Sequence, residues 1–281
     1  MIQDIYPSKL DNSYKNIKPE DKDFILVFND EGKAYVGDVD GEMSFLTYAD
    51  CKSLKEVDSC SDVYLFSIDD KRYFLLGNKD AVKLQKLGFD YYTIRELRDR
   101  YSRDDVNIYV AFTAYHLWKW YSDNTFCGKC GSALKHSENE RALVCADCGN
   151  VIYPRINPAV IVGVTKGDSL LLTIYRRGFA HNALVAGFTE IGETLEETVA
   201  REVMEETGVK VKNIRYYKSQ PWGMAQDMLV GFYCEADGDG EIHMDENELK
   251  YAEWVKREDI ELQPNNLSLT NEMMRVFKEG K

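Results

Sequence analysis

Short apolar runs separated by polar turns make up much of the first hundred residues. They read FILVF at 24–28, KAYVG at 33–37, DVYLFSI at 62–68 and RYFLLG at 72–77. Turn-forming segments such as NDEG and DDKR separate them, which is typical of strands joined in hairpins. The segments VKLQKL and IRELRDRYS have helical spacing instead. We therefore expect a β-rich α+β domain over residues 1–122, whose function the pattern does not reveal.

A longer segment, DVNIYVAFTAYHLWKWYSDN, begins at Asp105 and carries large apolar residues at near-helical spacing. A helix that packs its aromatic side chains into the core explains this spacing better than a base-stacking platform does. The same interpretation applies to His116 and Trp120. The aromatic residues concerned are Tyr109, Phe112, Tyr115 and Trp118.

The second half of the chain opens with YPRINPAVIVGVTKGDSLLLTIYRR, which predicts a strand, a KGD turn and a second strand. Further on, Thr194 with Glu197 forms a capping box, and Gly208 supplies a left-handed stop. These signals predict a helix over residues 195–207.

Three carboxylates fall on one side of this predicted helix. At roughly 100° per residue, Glu202, Glu205 and Glu206 occupy an arc of about 100° beside an apolar stripe. The residue four positions after Glu202 is another glutamate, whereas a solvated acidic face more usually has a lysine there. Mutual repulsion raises the pKa values of such carboxylates unless a cation neutralises them. Hard oxygen ligands favour Mg²⁺ or Mn²⁺, which suits phosphoanhydride hydrolysis; a solvated acidic face is the alternative.

Length and charge narrow the classes of function. At roughly 150 residues per domain, 281 residues suggest about two domains. The excess of 48 acidic over 35 basic residues gives a net charge of −13, which disfavours nonspecific binding to nucleic acid or anionic lipid. The sequence contains no secretory signal and no apolar run that could span a membrane, so we expect a cytoplasmic protein.

Four of the seven cysteines follow a metal-binding spacing. Two CxxC pairs are separated by 14 residues, and Gly131 and Gly149 suit the tight turn after each pair. Four sulfur ligands leave no open position, so we expect one structural zinc per chain in a ribbon over residues 123–152. A pair of disulfides or a redox-active CxxC are the alternatives. The remaining cysteines, at 51, 60 and 234, are interpreted as buried or inert thiols, and the predicted zinc ligands are Cys127, Cys130, Cys145 and Cys148.

The complete string around the carboxylate helix resembles the Nudix box. Gly187, then Glu193 after five residues, then REVMEETGV at 201–209 match it at every fixed position. The resemblance implies an α/β/α sandwich over residues 153–281 that hydrolyses a nucleoside diphosphate linked to another moiety. It also implies that Glu202, Glu205 and Glu206 bind the metal, that Arg201 orients them, and that Glu193 lies near the metal. Which carboxylate acts as general base stays open.

A zinc ribbon directly ahead of such a box, behind a β-rich domain, resembles the bacterial NADH pyrophosphatase family. The resemblance implies hydrolysis of NADH or NAD to NMN(H) and AMP, and removal of NAD caps from the 5′ ends of RNA. A Nudix hydrolase for ADP-ribose or another dinucleotide is the enzymatic alternative. A noncatalytic nucleotide-binding module is the alternative from another class.

The same resemblance suggests substrate contacts. Phe188 is similar to the aromatic on which the family stacks nicotinamide, and Tyr153 to a tyrosine offered across a homodimer interface. Glu248 resembles a family glutamate that approaches the metal, and Thr270 lies where the family has a segment whose backbone contacts substrate. Two further candidates, in the SQPW segment, are Gln220 and Trp222.

The chain departs from the family directly after SQPW. The family continues with Pro-Phe-Pro, whereas this sequence has Gly223, Met224 and Ala225. Loss of two prolines and an aromatic predicts a more flexible loop with one stacking surface fewer. Specificity for NAD(H) is therefore less firmly predicted than hydrolase activity.

Overall fold

The computed structural model describes residues 1–53, 63–76, 86, 88–101, 105–176 and 181–281. They form two compact units. The amino-terminal unit comprises residues 3–155 and 223–225, and the carboxy-terminal unit comprises residues 1–2, 156–222 and 226–281. Cys60 and all of VKLQKL except Lys86 lie outside the described residues.

The described residues of the amino-terminal unit form three sheets, with strand orders β1-β6-β7-β2-β5, β4-β3-β8 and β11-β10-β9. The strands are β1 (Leu10–Asp11), β2 (Phe24–Leu26), β3 (Ala34–Val39), β4 (Glu42–Ser44), β5 (Leu46–Thr47), β6 (Val63–Ile68), β7 (Lys71–Leu75), β8 (Phe89–Tyr92), β9 (Leu134–His136), β10 (Leu143–Cys145) and β11 (Val151–Ile152). The helices are α1 (Tyr48–Ser53), α2 (Ile94–Arg100) and α3 (Asp105–Asp123).

The two predicted turns of this unit have different outcomes. At DDKR, β6 and β7 pair as an antiparallel hairpin, with Ile68 opposite Lys71. At NDEG the chain also turns, and Gly32 adopts a φ of 77°. The flanking segments share the bridge from Phe28 to Ala34 and the hydrogen bonds around it, but β2 and β3 then belong to different sheets.

Helix α3 confirms the prediction of a helix whose aromatic residues serve the core. Tyr109, Phe112, Trp118 and Trp120 are buried in it. The indole of Trp118 stacks on Phe28, with ring centroids 5.2 Å apart. The hydrophobic spacing is therefore explained by packing.

The carboxy-terminal unit contains one six-stranded sheet in the described residues, with order β15-β16-β12-β13-β17 and β14 paired to β12. Its strands are β12 (Asn157–Lys166), β13 (Ser169–Tyr175), β14 (Val185–Phe188), β15 (Val211–Trp222), β16 (Asp227–Ala236) and β17 (Leu249–Lys256). Its helices are α4 (Leu195–Thr207), a 3₁₀ turn (Arg257–Asp259) and α5 (Leu269–Lys278).

Strand β12 supplies side chains to both faces of this sheet, because successive residues of a strand point to opposite sides. Val160 and Val162 join one core cluster with Val199 of α4. Ala159 and Ile161 join another, which contains α5 residues. One helix therefore covers each face, and the predicted α/β/α sandwich is confirmed. No helix in the described residues is long and apolar enough to cross a membrane.

Candidate active site and metal centre

Both ends of α4 form as predicted, which fixes the helix that carries the three glutamates. The Thr194 hydroxyl accepts the backbone N–H of Glu197 at 3.2 Å, and the Glu197 carboxylate accepts the Thr194 N–H at 2.8 Å. Gly208 ends the helix in the left-handed conformation, with a φ of 70°. Such caps satisfy backbone groups that a helix terminus otherwise leaves unpaired.

Arg201 is the centre of the charged cluster on α4. Its Nε donates to Glu193 Oε1 at 2.6 Å, and its Nη1 donates to Glu202 Oε1 at 2.8 Å and to Glu205 Oε2 at 3.0 Å. Its Nη2 donates to the Phe188 carbonyl oxygen at 2.9 Å. One planar guanidinium therefore links three carboxylates to the end of β14.

Glu193 is fixed from several sides. Besides Arg201, the Thr198 hydroxyl donates to its Oε2 at 3.0 Å, and the backbone N–H of Glu190 donates to the same oxygen at 3.0 Å. The hydrogen bond from Arg201, followed by that from Glu190, lowers the pKa of Glu193 to about 2. The loop before α4 therefore carries an ionised carboxylate close to Arg201.

Glu206 lies in the opposite kind of environment, at 2% exposure. Its two carboxylate oxygens each lie 3.0 Å from the Tyr175 hydroxyl, which in turn accepts the backbone N–H of Ala186 at 3.0 Å. Burial is the largest cause that raises the pKa of Glu206 to about 8; the nearby charges of Glu202 and Glu248 add to it, and the hydrogen bond with Tyr175 opposes it. A bound cation would offset the free-energy cost of ionising the buried Glu206, because it stabilises the carboxylate.

The Glu202 carboxylate lies directly against Gly187, whose lack of a side chain leaves room for it. A Cβ on Gly187 of β14 would overlap the Glu202 carboxylate. Burial raises the pKa of Glu202 against the opposing effect of Arg201, and Glu205 and Glu248 add repulsion. The strict glycine of the box thus has a packing reason.

The donor set fits a hard divalent cation. Carboxylate oxygens from Glu202, Glu205, Glu206 and Glu248 are the ligands that Mg²⁺ and Mn²⁺ prefer. The charge of Glu248 raises the pKa values of Glu202 and Glu206, which indicates that Glu248 is close to both. Within the described residues, no three of these carboxylates lie within 4.8 Å of one another.

Other predicted contacts of this unit are distributed around the sheet. Phe188 ends β14 with 52% of its surface exposed, which leaves its ring available for stacking. Trp222 ends β15, is partly buried and packs against the core cluster of α5. Thr270 lies in the first turn of α5, and Glu248 is exposed just before β17.

Gln220 is fully buried, and its side-chain amide forms hydrogen bonds with the backbone. Its Nε2 donates to the Leu267 carbonyl oxygen, and its Oε1 accepts the Leu269 N–H, both at 2.7 Å. The amide therefore fixes the chain that leads into α5 and Thr270. This contact supports a positioning role for Gln220.

Tyr153 and the loop residue Gly223 belong to the amino-terminal unit. Tyr153 is 57% exposed, and its hydroxyl donates to Glu140 Oε1 at 3.2 Å. A Cβ on Gly223 would overlap the backbone carbonyl oxygen of Phe112 in α3. A proline or any other side chain at 223 therefore has no space in this backbone arrangement.

The four ribbon cysteines form the second candidate centre. Their sulfur atoms all lie within 4.8 Å of one another. The Sγ atoms of Cys127 and Cys148 are 3.6 Å apart, and those of Cys130 and Cys145 are 3.4 Å apart. Tetrahedral zinc with Zn–S bonds of about 2.3 Å requires sulfur separations of about 3.8 Å. The thiol set therefore fits structural zinc.

The backbone around the cysteines repeats the same turn twice. The Gly131 N–H donates to the Cys127 carbonyl oxygen at 2.8 Å, and the Gly149 N–H to that of Cys145 at 3.0 Å. Both glycines have a positive φ, 79° and 71°. A hydrogen bond from the Lys129 N–H is the main cause that lowers the pKa of Cys127 to about 6, which favours the thiolate that binds metal.

The other described cysteines and two active-site residues complete the comparison with the sequence. Cys51 and Cys234 are buried thiols, as predicted. Sequence reasoning missed Tyr175, the partner of Glu206, and Thr198, the partner of Glu193. Thr198 lies one helical turn after the Thr194 cap, which is a local signal, whereas nothing in the sequence pairs Tyr175 with a residue 31 positions later.

Comparisons with known proteins agree with this geometry. The NUDIX domain family matches residues 155–277, and the NADH pyrophosphatase zinc ribbon domain family matches residues 122–153. The protein "NAD-capped RNA hydrolase NudC" of Citrobacter koseri is 39% identical over 207 residues, which are 71% of this chain and 78% of the relative. The protein of the same name from Salmonella typhi is 41% identical over 184 residues, 64% of this chain and 69% of the relative.

A solved structure, a NUDIX hydrolase from Nitrosomonas europaea, is 22% identical with a TM-score of 0.48 and covers 55% of this chain and 91% of its own. The Citrobacter koseri relative is 39% identical and is matched over 78% of its length, which establishes the family. Together with the two domain matches, they confirm the predicted Nudix hydrolase with a zinc ribbon. The chain belongs to the Nudix hydrolase family, in the branch that carries the NADH pyrophosphatase zinc ribbon.

Proposed function

We propose that this protein hydrolyses the pyrophosphate bond of NADH or NAD to NMN(H) and AMP, and that it also removes NAD caps from RNA. Mg²⁺ or Mn²⁺ is the proposed catalytic metal, and zinc is structural. The relatives named for hydrolysis of NAD-capped RNA support this assignment. A noncatalytic nucleotide-binding module is less consistent with the site, because simple binding does not require several glutamates arranged for a metal.

One observation carries the proposal, namely the arrangement of carboxylates around α4. Arg201 and Tyr175 hold Glu193, Glu202, Glu205 and Glu206 in defined positions, and burial raises the pKa of Glu206 to about 8. The metal would polarise the phosphates and lower the pKa of a bound water, which suits water attack on a phosphoanhydride. Glu202, Glu205, Glu206 and Glu248 would hold it.

The chain's own residues have separable tasks in this reaction. Arg201 orients Glu202 and Glu205 through its hydrogen bonds, and Glu193 balances its charge. Phe188 offers an exposed ring at the end of β14, on which a nicotinamide could stack. Gln220 fixes the backbone ahead of Thr270, so that segment presents a constant surface to substrate.

A substrate panel tests the proposed activity. The protein is incubated with Mg²⁺ or Mn²⁺ and with NADH, NAD, ADP-ribose, diadenosine polyphosphate or NAD-capped RNA, and the products are separated by chromatography. We expect NMNH and AMP from NADH, and 5′-monophosphate RNA from the capped RNA. Hydrolysis of ADP-ribose without any NMNH from NADH would reject the assignment.

The enzymatic alternative is a hydrolase for ADP-ribose or another dinucleotide, and the loop at 223–225 favours it. Gly223 lies against the Phe112 carbonyl oxygen, where the family's proline has no space. The stacking surface of this loop therefore differs from the family pattern. The relative turnover of NADH and ADP-ribose in the same panel decides between the two substrates.

We also propose a homodimer in which Tyr153 serves the neighbouring subunit's site. In the ribbon, Phe126 is 66% exposed and Val151 is 41% exposed, and Tyr153 directly after it is 57% exposed. Apolar surface of this kind is typical of an interface. Sedimentation of the active enzyme tests the proposal, and an active monomer would reject it.

A cytoplasmic location completes the proposal. The ribbon requires thiolates, and reduced cysteines persist in the cytosol. Fractionation of cells followed by immunodetection tests this, and enrichment outside the cytoplasm would contradict it.

A further inference from the structure

An open cavity of about 410 Å³ lies at the surface of the amino-terminal unit, and its lining residues are distant in sequence from the glutamates of α4. Three parts of the chain line it: residues 14–18, the start of β6, and residues 136–138 of the ribbon. Its volume falls at the lower end of the range of small-molecule sites, about 300–1,000 Å³. The zinc ribbon thus contributes a wall to a second concave site.

The walls are held in place by hydrogen bonds between the parts. The Tyr14 hydroxyl donates to the Ser137 carbonyl oxygen at 2.7 Å, and Asn16 Nδ2 donates to the Glu138 carbonyl oxygen at 3.4 Å. The His136 ring packs on Tyr121, with centroids 4.9 Å apart. Hydrogen bonds of the folded chain therefore fix the walls of the cavity relative to one another.

The charge around the cavity is positive, although the chain as a whole carries −13. Among its described lining residues, Lys15 and Lys18 are basic and Glu138 is acidic. Lys15 also forms an ion pair with Asp11 at 2.7 Å. An anion entering the cavity would meet two ammonium groups.

Arg141 adds a third cation close to the lining. Its guanidinium donates to the carbonyl oxygens of Asn12 and Leu65 and to the Asn12 side chain. In the described part of the chain it has no carboxylate partner, and its buried Nε–H has no acceptor. Its charge acts on Tyr14 and Tyr64, both in the lining. A half-buried guanidinium without a counter-ion favours binding of an anion nearby.

The lining also offers flat rings. Tyr14 and His136 present aromatic surface of the kind on which bases stack. Tyr64 is only 2% exposed, and its hydroxyl lies close to the Lys15 ammonium group. Cations combined with aromatic faces and short polar side chains suit a phosphorylated nucleoside.

We propose that this cavity binds a nucleoside monophosphate, with its phosphate near Lys15, Lys18 and Arg141 and its base against Tyr14 and His136. The proposal rests on these residues and not on the reaction proposed for the glutamates of α4. Because residues 136–138 belong to the ribbon, occupancy would also stabilise the ribbon.

Hydrogen–deuterium exchange of the full-length protein, measured with AMP, inorganic phosphate or adenosine and without added Mg²⁺ or Mn²⁺, locates the site. We expect AMP to slow exchange in residues 14–18 and 134–138, phosphate to do so more weakly, and adenosine least. Protection confined to the carboxy-terminal unit, or equal protection by adenosine and AMP, would overturn the proposal.

Calorimetric titration of AMP compares charge variants. The double variant Lys15→Ala/Lys18→Ala should weaken binding by at least about tenfold, since two charged contacts are lost. The matched control is Lys33→Ala/Lys119→Ala, which removes two lysines of the same unit, each paired with an acidic residue. Equal affinity in both double variants, or no heat of binding in the wild type, would overturn the proposal.

Tyr64→Phe gives a milder probe that preserves the ring. Loss of the hydroxyl's contact with Lys15 should lower the melting temperature only slightly. AMP affinity should stay within a few-fold of wild type, because the lysines and Arg141 carry the phosphate. A complete loss of AMP binding in this folded variant would contradict the assignment of the phosphate to the lysines and Arg141.

Discussion

In the ribbon, four cysteine sulfurs lie within 4.8 Å of one another, whereas the carboxylates of α4 are each held by donors of the protein itself. The thiols are presented by two identical glycine turns that aim them at one point. The carboxylates bind Arg201 or Tyr175 and stay further apart. The first arrangement suits a closed tetrahedral site, and the second leaves room for metal, water and phosphate.

Because the two centres differ in this way, removal of each metal should have a different effect on stability and activity. Zinc would complete the ribbon, so its removal should cost stability first. The divalent metal at α4 would replace part of the role of Arg201 as counter-ion, so its removal should cost activity and leave the fold intact. Four substitutions test this comparison.

The largest effect on activity is expected for Glu206→Gln. Glu206 is buried on Tyr175, and the amide removes the charge that a cation needs while keeping the side chain's size. We expect NADH hydrolysis to fall by about a thousandfold or more, with an unchanged melting temperature. The control is Glu196→Gln, an exposed glutamate in the first turn of the same helix, which should retain full activity. Normal turnover in Glu206→Gln would refute the metal-site assignment.

Cys127→Ser should break the other centre. Loss of one of four sulfur ligands is expected to release the zinc and to destabilise the ribbon by several kcal/mol, while folded molecules still hydrolyse substrate. Metal analysis and thermal unfolding measure the two effects. Cys51→Ser, a buried thiol of the same unit outside the cluster, should keep its zinc. Full zinc content in Cys127→Ser would contradict the ribbon.

Arg201→Lys tests whether the planar guanidinium group is needed. A lysine retains the charge but cannot bridge Glu193, Glu202 and Glu205 at once. We expect about a 10- to 100-fold loss of kcat in steady-state assays. Arg215→Lys, at an exposed ion pair with Glu235 at 3.4 Å, should behave as wild type. Equal kinetics for both variants would show that Arg201 supplies charge alone.

Gly187→Ala is expected to have the smallest effect of the four. The added methyl group would displace the Glu202 carboxylate, which costs about 1–3 kcal/mol of stability and reduces turnover. Gly128→Ala in the ribbon has open space and no positive φ, so it should change neither property. Identical unfolding and kinetics in Gly187→Ala and the wild type would remove the packing reason for this glycine.

The sequence predicted local features of the site well because their signals are local. The ends of α4 follow from Thr194, Glu197 and Gly208, and the ribbon follows from the spacing of its cysteines. Both depend on residues a few positions apart. The carboxylates on one side of α4 follow from the same helical period.

Long-range contacts could not be predicted in this way. The partnership of Tyr175 with Glu206 depends on where β13 ends relative to α4, which only the folded sheet determines. The separation of β2 from β3 depends on which strands compete for pairing, and their NDEG turn is compatible with either outcome. The burial of Gln220 likewise reflects α5, which lies 49 residues later.

The most direct test of the comparison measures zinc content and NADH hydrolysis in the same samples, with and without added Mg²⁺ or Mn²⁺. We predict about one zinc per chain throughout, no NMNH or AMP without the added metal, and full release of both products once it is added. Full hydrolysis by a sample that contains zinc and neither Mg²⁺ nor Mn²⁺ would contradict the account.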